Sequence, residues 1–176
     1  MSYASRIKDE LSRQLSPARH CQIAEIAAII SLCGRISISA DNRYCMKIHT
    51  ENVAVARKCF TLLKKTFNIV TDVSIRRNSY LKKNRTYSVV VNDHQDTIRV
   101  LQAAKLIGAD GEIEENLSLQ KNMVVKHTCC RRAFIRGAFL AAGSISDPEK
   151  SYHFEITCAT EEKARQLRGI IGTFGL

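Results

Sequence analysis

The sequence lacks two features that would place it in a membrane or outside the cell. The longest uncharged stretch in its first helical region, from Ile26 to Gly34, is far shorter than the roughly 20 apolar residues that a membrane-spanning helix requires. The first ten residues include Arg6, Lys8, Asp9 and Glu10 and form no apolar signal core. We therefore expect a cytoplasmic protein with no membrane partner.

Motifs for metals and nucleotides are also missing. The seven cysteines are odd in number and include no C-x-x-C pair, since the only close pair is the adjacent Cys129-Cys130. The five histidines are scattered, and neither a P-loop nor a G-x-G-x-x-G motif occurs. These absences predict thiols that act as small apolar groups in a reducing compartment, with no metal and no cofactor.

Acidic residues are scarce relative to basic ones. Asp and Glu number 17 against 27 Lys and Arg, which gives a formal net charge of +10. Apolar residues make up 45% of the chain, so a globular core can form. The charge does not specify a fold, but it favours a polyanionic partner such as nucleic acid.

The chain contains an internal repeat. The segments from Cys21 to Ser37 and from Cys130 to Ser146 match at a constant offset and share several identities. The matched pairs are Cys21/Cys130, Ala24/Ala133, Ile26/Ile135, Gly34/Gly143, Ile36/Ile145 and Ser37/Ser146. A shared helix, closing glycine and Ile-Ser strand start indicate a duplication.

Hydrophobic periodicity predicts an α+β fold in which each half begins with a buried helix followed by two strands. Gly34 and Gly143 are predicted to end these helices with positive φ angles. The predicted helices are 3–15, 20–33, 53–67 (with Asn52 as N-cap) and 97–108, and the predicted strands are 36–38, 44–48, 73–76 and 87–91.

Small side chains on the two repeated helices predict that these helices cross closely. Ala24 and Ala28 in one helix, and Ala133 and Gly137 in the other, lie one turn apart. Missing side chains let two backbones approach, which suits packing at a pseudo-twofold axis. Alanine as a simple helix former is the other explanation.

The segment Ile135-Arg-Gly-Ala-Phe-Leu-Ala-Ala-Gly143 followed by Ser-Ile resembles the LAGLIDADG motif of homing endonucleases, and Ala27 to Ile36 resembles a weaker first copy. The resemblance implies a pseudo-twofold αββαββα repeat whose strands straddle DNA, with the second repeat incomplete here. In that family an acidic residue before each glycine binds Mg²⁺ for DNA cleavage. Here those positions hold Cys33 and Ala142. A thiol and a methyl group cannot supply the hard oxygen ligands that Mg²⁺ requires, so no enzyme activity and no catalytic residue are expected.

Further tracts resemble the bacterial WhiA family, which carries a degenerate LAGLIDADG region before a C-terminal helix-turn-helix. They include the start at Ser2-Tyr3-Ala4-Ser5, Thr50-Glu51-Asn52, and Cys129-Cys-Arg-Arg132 leading into the motif. The resemblance implies a transcription regulator of sporulation, or of cell division and chromosome organisation and segregation. The expected organisation is an N-terminal helix (1–19), a first repeat (20–109), a linker (110–126) and a truncated second repeat (127–176), with no helix-turn-helix, as in a fragment or a truncated relative.

Basic side chains cluster on the predicted strands of the first repeat. Phosphate contacts of this kind set affinity and salt dependence rather than sequence preference. The candidate residues for binding double-stranded DNA are Arg43, Lys47, Arg76, Arg77, Lys82, Lys83 and Arg85. A solvated hairpin tip that keeps a sheet edge soluble is the alternative.

The sequence thus predicts a catalytically inactive DNA-binding domain of a WhiA-like regulator, associated with the nucleoid. One alternative is a docking module for RNA polymerase, a sigma factor or another regulator, without DNA contact of its own. A second alternative is an active LAGLIDADG endonuclease, which cleavage of plasmid DNA with Mg²⁺ would reveal.

Overall fold

The computed structural model of the chain describes residues 1–77, 85–107 and 124–175. No helix within these ranges is long and apolar enough to cross a lipid bilayer. The described elements are α1 (Tyr3–Ser12), α2 (Arg19–Cys33), β1 (Gly34–Ile38), β2 (Tyr44–Thr50), α3 (Val53–Phe67), β3 (Asp72–Arg77), β4 (Arg85–Val91), α4 (His94–Ala103), α5 (Thr128–Ala142), β5 (Gly143–Ile145), β6 (Phe154–Ile156) and α6 (Glu161–Gly172).

The order of elements confirms the predicted α+β repeat. From α2 to α4 the chain follows the order αββαββα, and from α5 to α6 it follows the first four elements of the same order, αββα. The first repeat forms a four-stranded antiparallel sheet in the order β1-β2-β4-β3, and β5 and β6 form a two-stranded sheet. The second repeat is therefore incomplete in the described part of the chain.

Helices α2 and α5 cross at backbone contact, as the small residues predicted. Ala24, Ala28 and Ala133 are almost completely buried. A Cβ atom added to Gly137 would collide with the carbonyl oxygen of Glu25 and would lie 3.1 Å from Cβ of Ala28. The two repeats are thus joined through a contact that leaves no room for one methyl group.

The predicted glycine caps are wrong in their backbone conformation. Gly34 has φ −87° and ψ 153°, and Gly143 has φ −86° and ψ 152°, so both are extended. The chain passes directly from helix to strand without a left-handed residue. Glycine fits here for lack of space, because an added Cβ on Gly34 would lie 2.5 Å from the carbonyl oxygen of Ile30.

The predicted start of α3 is confirmed, whereas the predicted bounds of α4 and α1 are wrong. Asn52 caps α3 as predicted, since its side chain accepts bonds from the amides of Ala54 and Val55. Helix α4 occupies His94–Ala103 rather than 97–108, because Asp93 provides an earlier N-cap. Helix α1 ends at Ser12 rather than at residue 15, and Ser16 precedes a proline, which disfavours helical backbone there.

A buried carboxylate lies at the centre of the helical layer. Glu25 of α2 is completely inaccessible and pairs with Lys58 of α3 at 3.2 Å and with Arg136 of α5 at 3.1 Å. Lys58 also donates to the carbonyl of Gln14, and Arg136 donates to the hydroxyl of Ser16 at 2.8 Å. The network therefore ties α2, α3, α5 and the segment after α1 together.

The helix crossing predicts the effect of one added methyl group. Gly137→Ala should destabilise the protein by about 1–3 kcal/mol, the usual cost of overpacking, because the obstructing atom is backbone. Gly169→Ala in α6 is the matched control, since nothing lies within 4 Å of the added Cβ, and it should be neutral or stabilising. Urea denaturation of both variants measures the difference, and equal stability of the two variants would contradict the close crossing.

Candidate nucleic-acid interface

The first sheet has one apolar face and one polar face, as expected of strands that pack against helices on one side. In β2, buried Met46 and Ile48 alternate with exposed Lys47 and half-buried His49. Buried Val89 of β4 pairs with Ile48 and belongs to the apolar face. The polar face therefore carries every second residue of the sheet, and its side chains form the candidate interface.

Two cations face each other on the polar face. The register places Arg35 of β1 directly opposite Lys47 of β2, and both side chains are exposed. Arg76 of β3 lies opposite Thr86 of β4 on the same face. Like charges directly opposite each other on antiparallel strands reduce stability. Within the described residues, no ion pair joins Arg35, Lys47 or Arg76 to an acid.

The pKa of His49 is affected by the positive charge on this face. Nδ1 of His49 lies 2.9 Å from the hydroxyl of Ser88 on the neighbouring strand. The pKa of His49 is lowered from its ordinary value of 6.5 by partial burial and then by Arg35, Lys47 and Arg76. Burial and the three cations all disfavour the protonated imidazole, and the same cations would attract an anion to this place.

The polar face is concave at this point. A depression of about 530 Å³ extends across β2, β4 and β3. Its lining residues are Lys47, His49, Ser74, Arg76, Arg77, Thr86 and Ser88. Hydroxyl and cationic groups of this kind are the usual donors to phosphate oxygens.

The structure brings together only part of the predicted set. Lys47 and Arg76 lie on the polar face, and Arg43 lies exposed next to the turn between β1 and β2. Arg77 and Arg85 lie opposite each other in the next pair along the strands, so their side chains leave the sheet on the face opposite to that of Arg76. Both are exposed, and Arg77 also lines the depression. The remaining two candidates, Lys82 and Lys83, lie outside the described residues.

Arg35 and His49 were missed in the sequence. Both follow the period-two alternation that identified Lys47, so extending that alternation along β1 and β2 would have found them. The pairing of Arg35 with Lys47 depends on the hairpin register, which the sequence did not specify.

The ends of α2 and α5 carry the residues that replace the motif acids. Cys33 is half-buried, its thiol donates to the carbonyl of Ile29 at 3.2 Å, and burial raises its pKa to about 12. Lys163 of α6 lines a cavity of about 400 Å³ together with Cys33, and its ammonium donates to the carbonyl of Ser31 at 2.6 Å. At this end of α2 the structure places a neutral thiol and a cation.

A second group of polar side chains lies at the opposite end of the same helices. Its four ligand-type atoms lie within 4.8 Å of one another, and we call it the Cys/His cluster: His20, Cys21, Cys129 and Cys130. The two residues from α2 occupy the repeat positions of the two from α5. Sequence spacing gave no metal motif because the two pairs are far apart in the chain and meet only through the helix crossing.

Comparison with known proteins identifies the family. Residues 19–107 match the family described as the WhiA N-terminal LAGLIDADG-like domain, and residues 131–176 match the WhiA LAGLIDADG-like domain. The chain belongs to the WhiA family. The resemblance noted in the sequence is thereby confirmed.

Curated WhiA relatives align over almost the whole chain. A protein of Lachnoclostridium phytofermentans named probable cell division protein WhiA is 45% identical over 99% of this chain and 55% of its own length. Relatives of the same name from Alkaliphilus oremlandii and Clostridium novyi are 39% and 38% identical, over 55% and 56% of their own lengths. The chain spans about half the length of these relatives.

Solved WhiA structures share the fold. The crystal structure of full-length DUF199/WhiA from Thermatoga maritima superposes with a TM-score of 0.67 at 19% identity, covering 99% of this chain and 51% of that one. The crystal structure of an N-terminal LAGLIDADG domain of DUF199/WhiA superposes with a TM-score of 0.69 at 20% identity, covering 98% of this chain and 74% of that one. At this level of identity the likeness establishes the LAGLIDADG-like fold.

The charge arrangement predicts how His49 titrates. Lys47→Gln should raise the pKa of His49 towards its ordinary value, because one of the three cations that oppose protonation is removed. Lys64→Gln, on the exposed side of α3, is the matched control and should leave that pKa unchanged. An NMR titration of the imidazole measures both. If the pKa of His49 does not change in Lys47→Gln, the account in which these cations oppose its protonation is contradicted.

Proposed function

We propose that this WhiA-family region binds the phosphate backbone of double-stranded DNA through the polar face of its first sheet. The observation that carries the proposal is the group of Arg35, Lys47 and Arg76 around His49, with no acid paired to these cations in the described ranges. Facing cations reduce stability unless an anion binds them. A regular polyanion is the ligand that suits an open, concave and cationic surface.

We also propose that the region does not cleave DNA. The two positions before Gly34 and Gly143 hold Cys33 and Ala142 in place of the motif acids. Lys163 lines the same cavity as Cys33, and a cation there opposes binding of Mg²⁺. The proposed role is therefore that of a DNA-contacting region in a transcription regulator.

The relatives supply the biological setting for this proposal. They are named probable cell division proteins, and we infer a role in cell division, chromosome segregation or sporulation with association to the nucleoid. Contacts to phosphate carry no sequence information by themselves. Choice of a DNA site would then require base contacts made elsewhere, which a helix-turn-helix would provide.

Protein docking is a second candidate function, and the edge strand β3 supports it. Val73 and Ile75 pair with Val89 and Tyr87 of the apolar face, yet 44% and 58% of their surfaces are exposed. An exposed apolar pair on an edge strand can accept a partner. RNA polymerase, a sigma factor or another regulator would be such a partner.

Removing the three cations of the polar face tests DNA binding. The variant Arg35→Gln/Lys47→Gln/Arg76→Gln should lower affinity for duplex DNA equally for all sequences. It should reduce the slope of log K against log salt by about 2.7, the value for three lost phosphate contacts. Electrophoretic mobility shifts over a salt series measure both quantities.

The matched control removes the same charge from the other side of the sheet. Arg57→Gln/Lys64→Gln/Lys65→Gln alters three exposed cations of α3 and should leave affinity and slope close to those of the unmodified protein. Equal losses in both variants would show that only net charge matters and would refute a specific interface. Incubation of plasmid DNA with Mg²⁺ should leave the plasmid intact, and cleavage would refute the inactive state.

A further inference from the structure

We propose that the Cys/His cluster binds one Zn²⁺ ion that joins the N-terminal ends of α2 and α5. Each helix contributes an adjacent pair of residues at the same position of the repeat. Three thiolates and one imidazole form a common ligand set of structural zinc sites. The site lies at the end of the helices remote from Cys33, and it is independent of the DNA-binding proposal.

The distances within the cluster suit tetrahedral coordination. Nδ1 of His20 lies 3.0 Å from Sγ of Cys130 and 3.5 Å from Sγ of Cys21. All four ligand atoms lie within 4.8 Å of one another. In a tetrahedral site with ordinary Zn–S and Zn–N bonds, neighbouring ligand atoms are separated by about 3.6–3.8 Å. Small rotations of the side chains would therefore create the site.

The N-terminal ends of α2 and α5, which surround the cluster, have no side-chain cap and favour negative charge. Helices α1, α3, α4 and α6 each have a side chain that accepts a bond from a first-turn amide. The N-cap residues of α2 and α5, Ala18 and His127, make no such bond. Helix N-termini carry partial positive charge, so two of them favour a site that holds three thiolates and one divalent ion.

The exposure of the four ligands suits the entry and retention of an ion. Binding of Zn²⁺ would release three thiol protons to solvent, with no electron transfer. Because His20 and Cys129 are exposed, the ion can enter from solvent, while buried Cys21 and Cys130 hold it against the helix pair.

Metal analysis of the whole chain tests the site. Protein purified with a thiol-free reductant and added zinc should contain one zinc ion per chain by mass spectrometry. Exchange for Co²⁺ should give the absorption bands of a tetrahedral cobalt thiolate. Chelation should lower the melting temperature by several degrees, since an ion that binds only the folded state stabilises it.

The decisive variant is His20→Ala/Cys129→Ser, which removes two exposed ligands and leaves the buried pair in place. Loss of a residue that only hydrogen-bonds to a metal ligand weakens metal binding by roughly 10–100-fold. Because this variant removes two ligands themselves, it should weaken Co²⁺ binding by more than that. The matched control Cys45→Ser/His153→Ala removes one cysteine and one histidine elsewhere and should retain the metal.

Three results of the metal analysis would overturn the proposal. They are the absence of zinc from the reduced protein, retention of metal by the His20→Ala/Cys129→Ser variant, and equal loss in both variants. A disulfide among the cluster cysteines that persists under the reductant and excludes metal would also overturn it, in favour of a redox-active cluster.

Discussion

The structure depends on the contact between α2 and α5, where a buried carboxylate lies beside a crossing without space for a methyl group. Glu25 is completely buried and is compensated by Lys58 and Arg136. Burying one ion would be very unfavourable, but this network supplies partners from α3 and α5 together. The same carboxylate therefore requires that both repeats pack around α2, which joins them into one unit.

This contact fixes where the functional surfaces lie. The extended Gly34 leads directly from α2 into β1, so the position of the helix determines the position of Arg35 on the sheet. At the other end of the helices the crossing brings together the two halves of the Cys/His cluster. One central contact thus sets the cationic face of the sheet and the proposed metal site.

The sequence predicted the repeat, the order of elements and the helix crossing, because these depend on local periodicity and on small residues at matched positions. It did not predict the extended glycines, since steric exclusion at a helix end depends on neighbours in space. It also missed the roles of Glu25, Arg35 and His20. Each of these side chains acts through a partner on another element, and the sequence pattern showed neither the partner nor the register.

The stability of a Glu25→Ala variant tests the central contact most directly. Loss of the carboxylate leaves the buried Lys58 and the partly buried Arg136 without their partner, and we predict a loss of about 3–5 kcal/mol in the free energy of unfolding. Glu161→Ala is the matched control, since that glutamate forms an exposed pair with Arg165 at 2.5 Å and should cost less than about 1 kcal/mol. Replacing Lys58 and Arg136 by Met in the Glu25→Ala background should recover much of the loss. Equal stability of the two glutamate variants in urea denaturation would contradict the account.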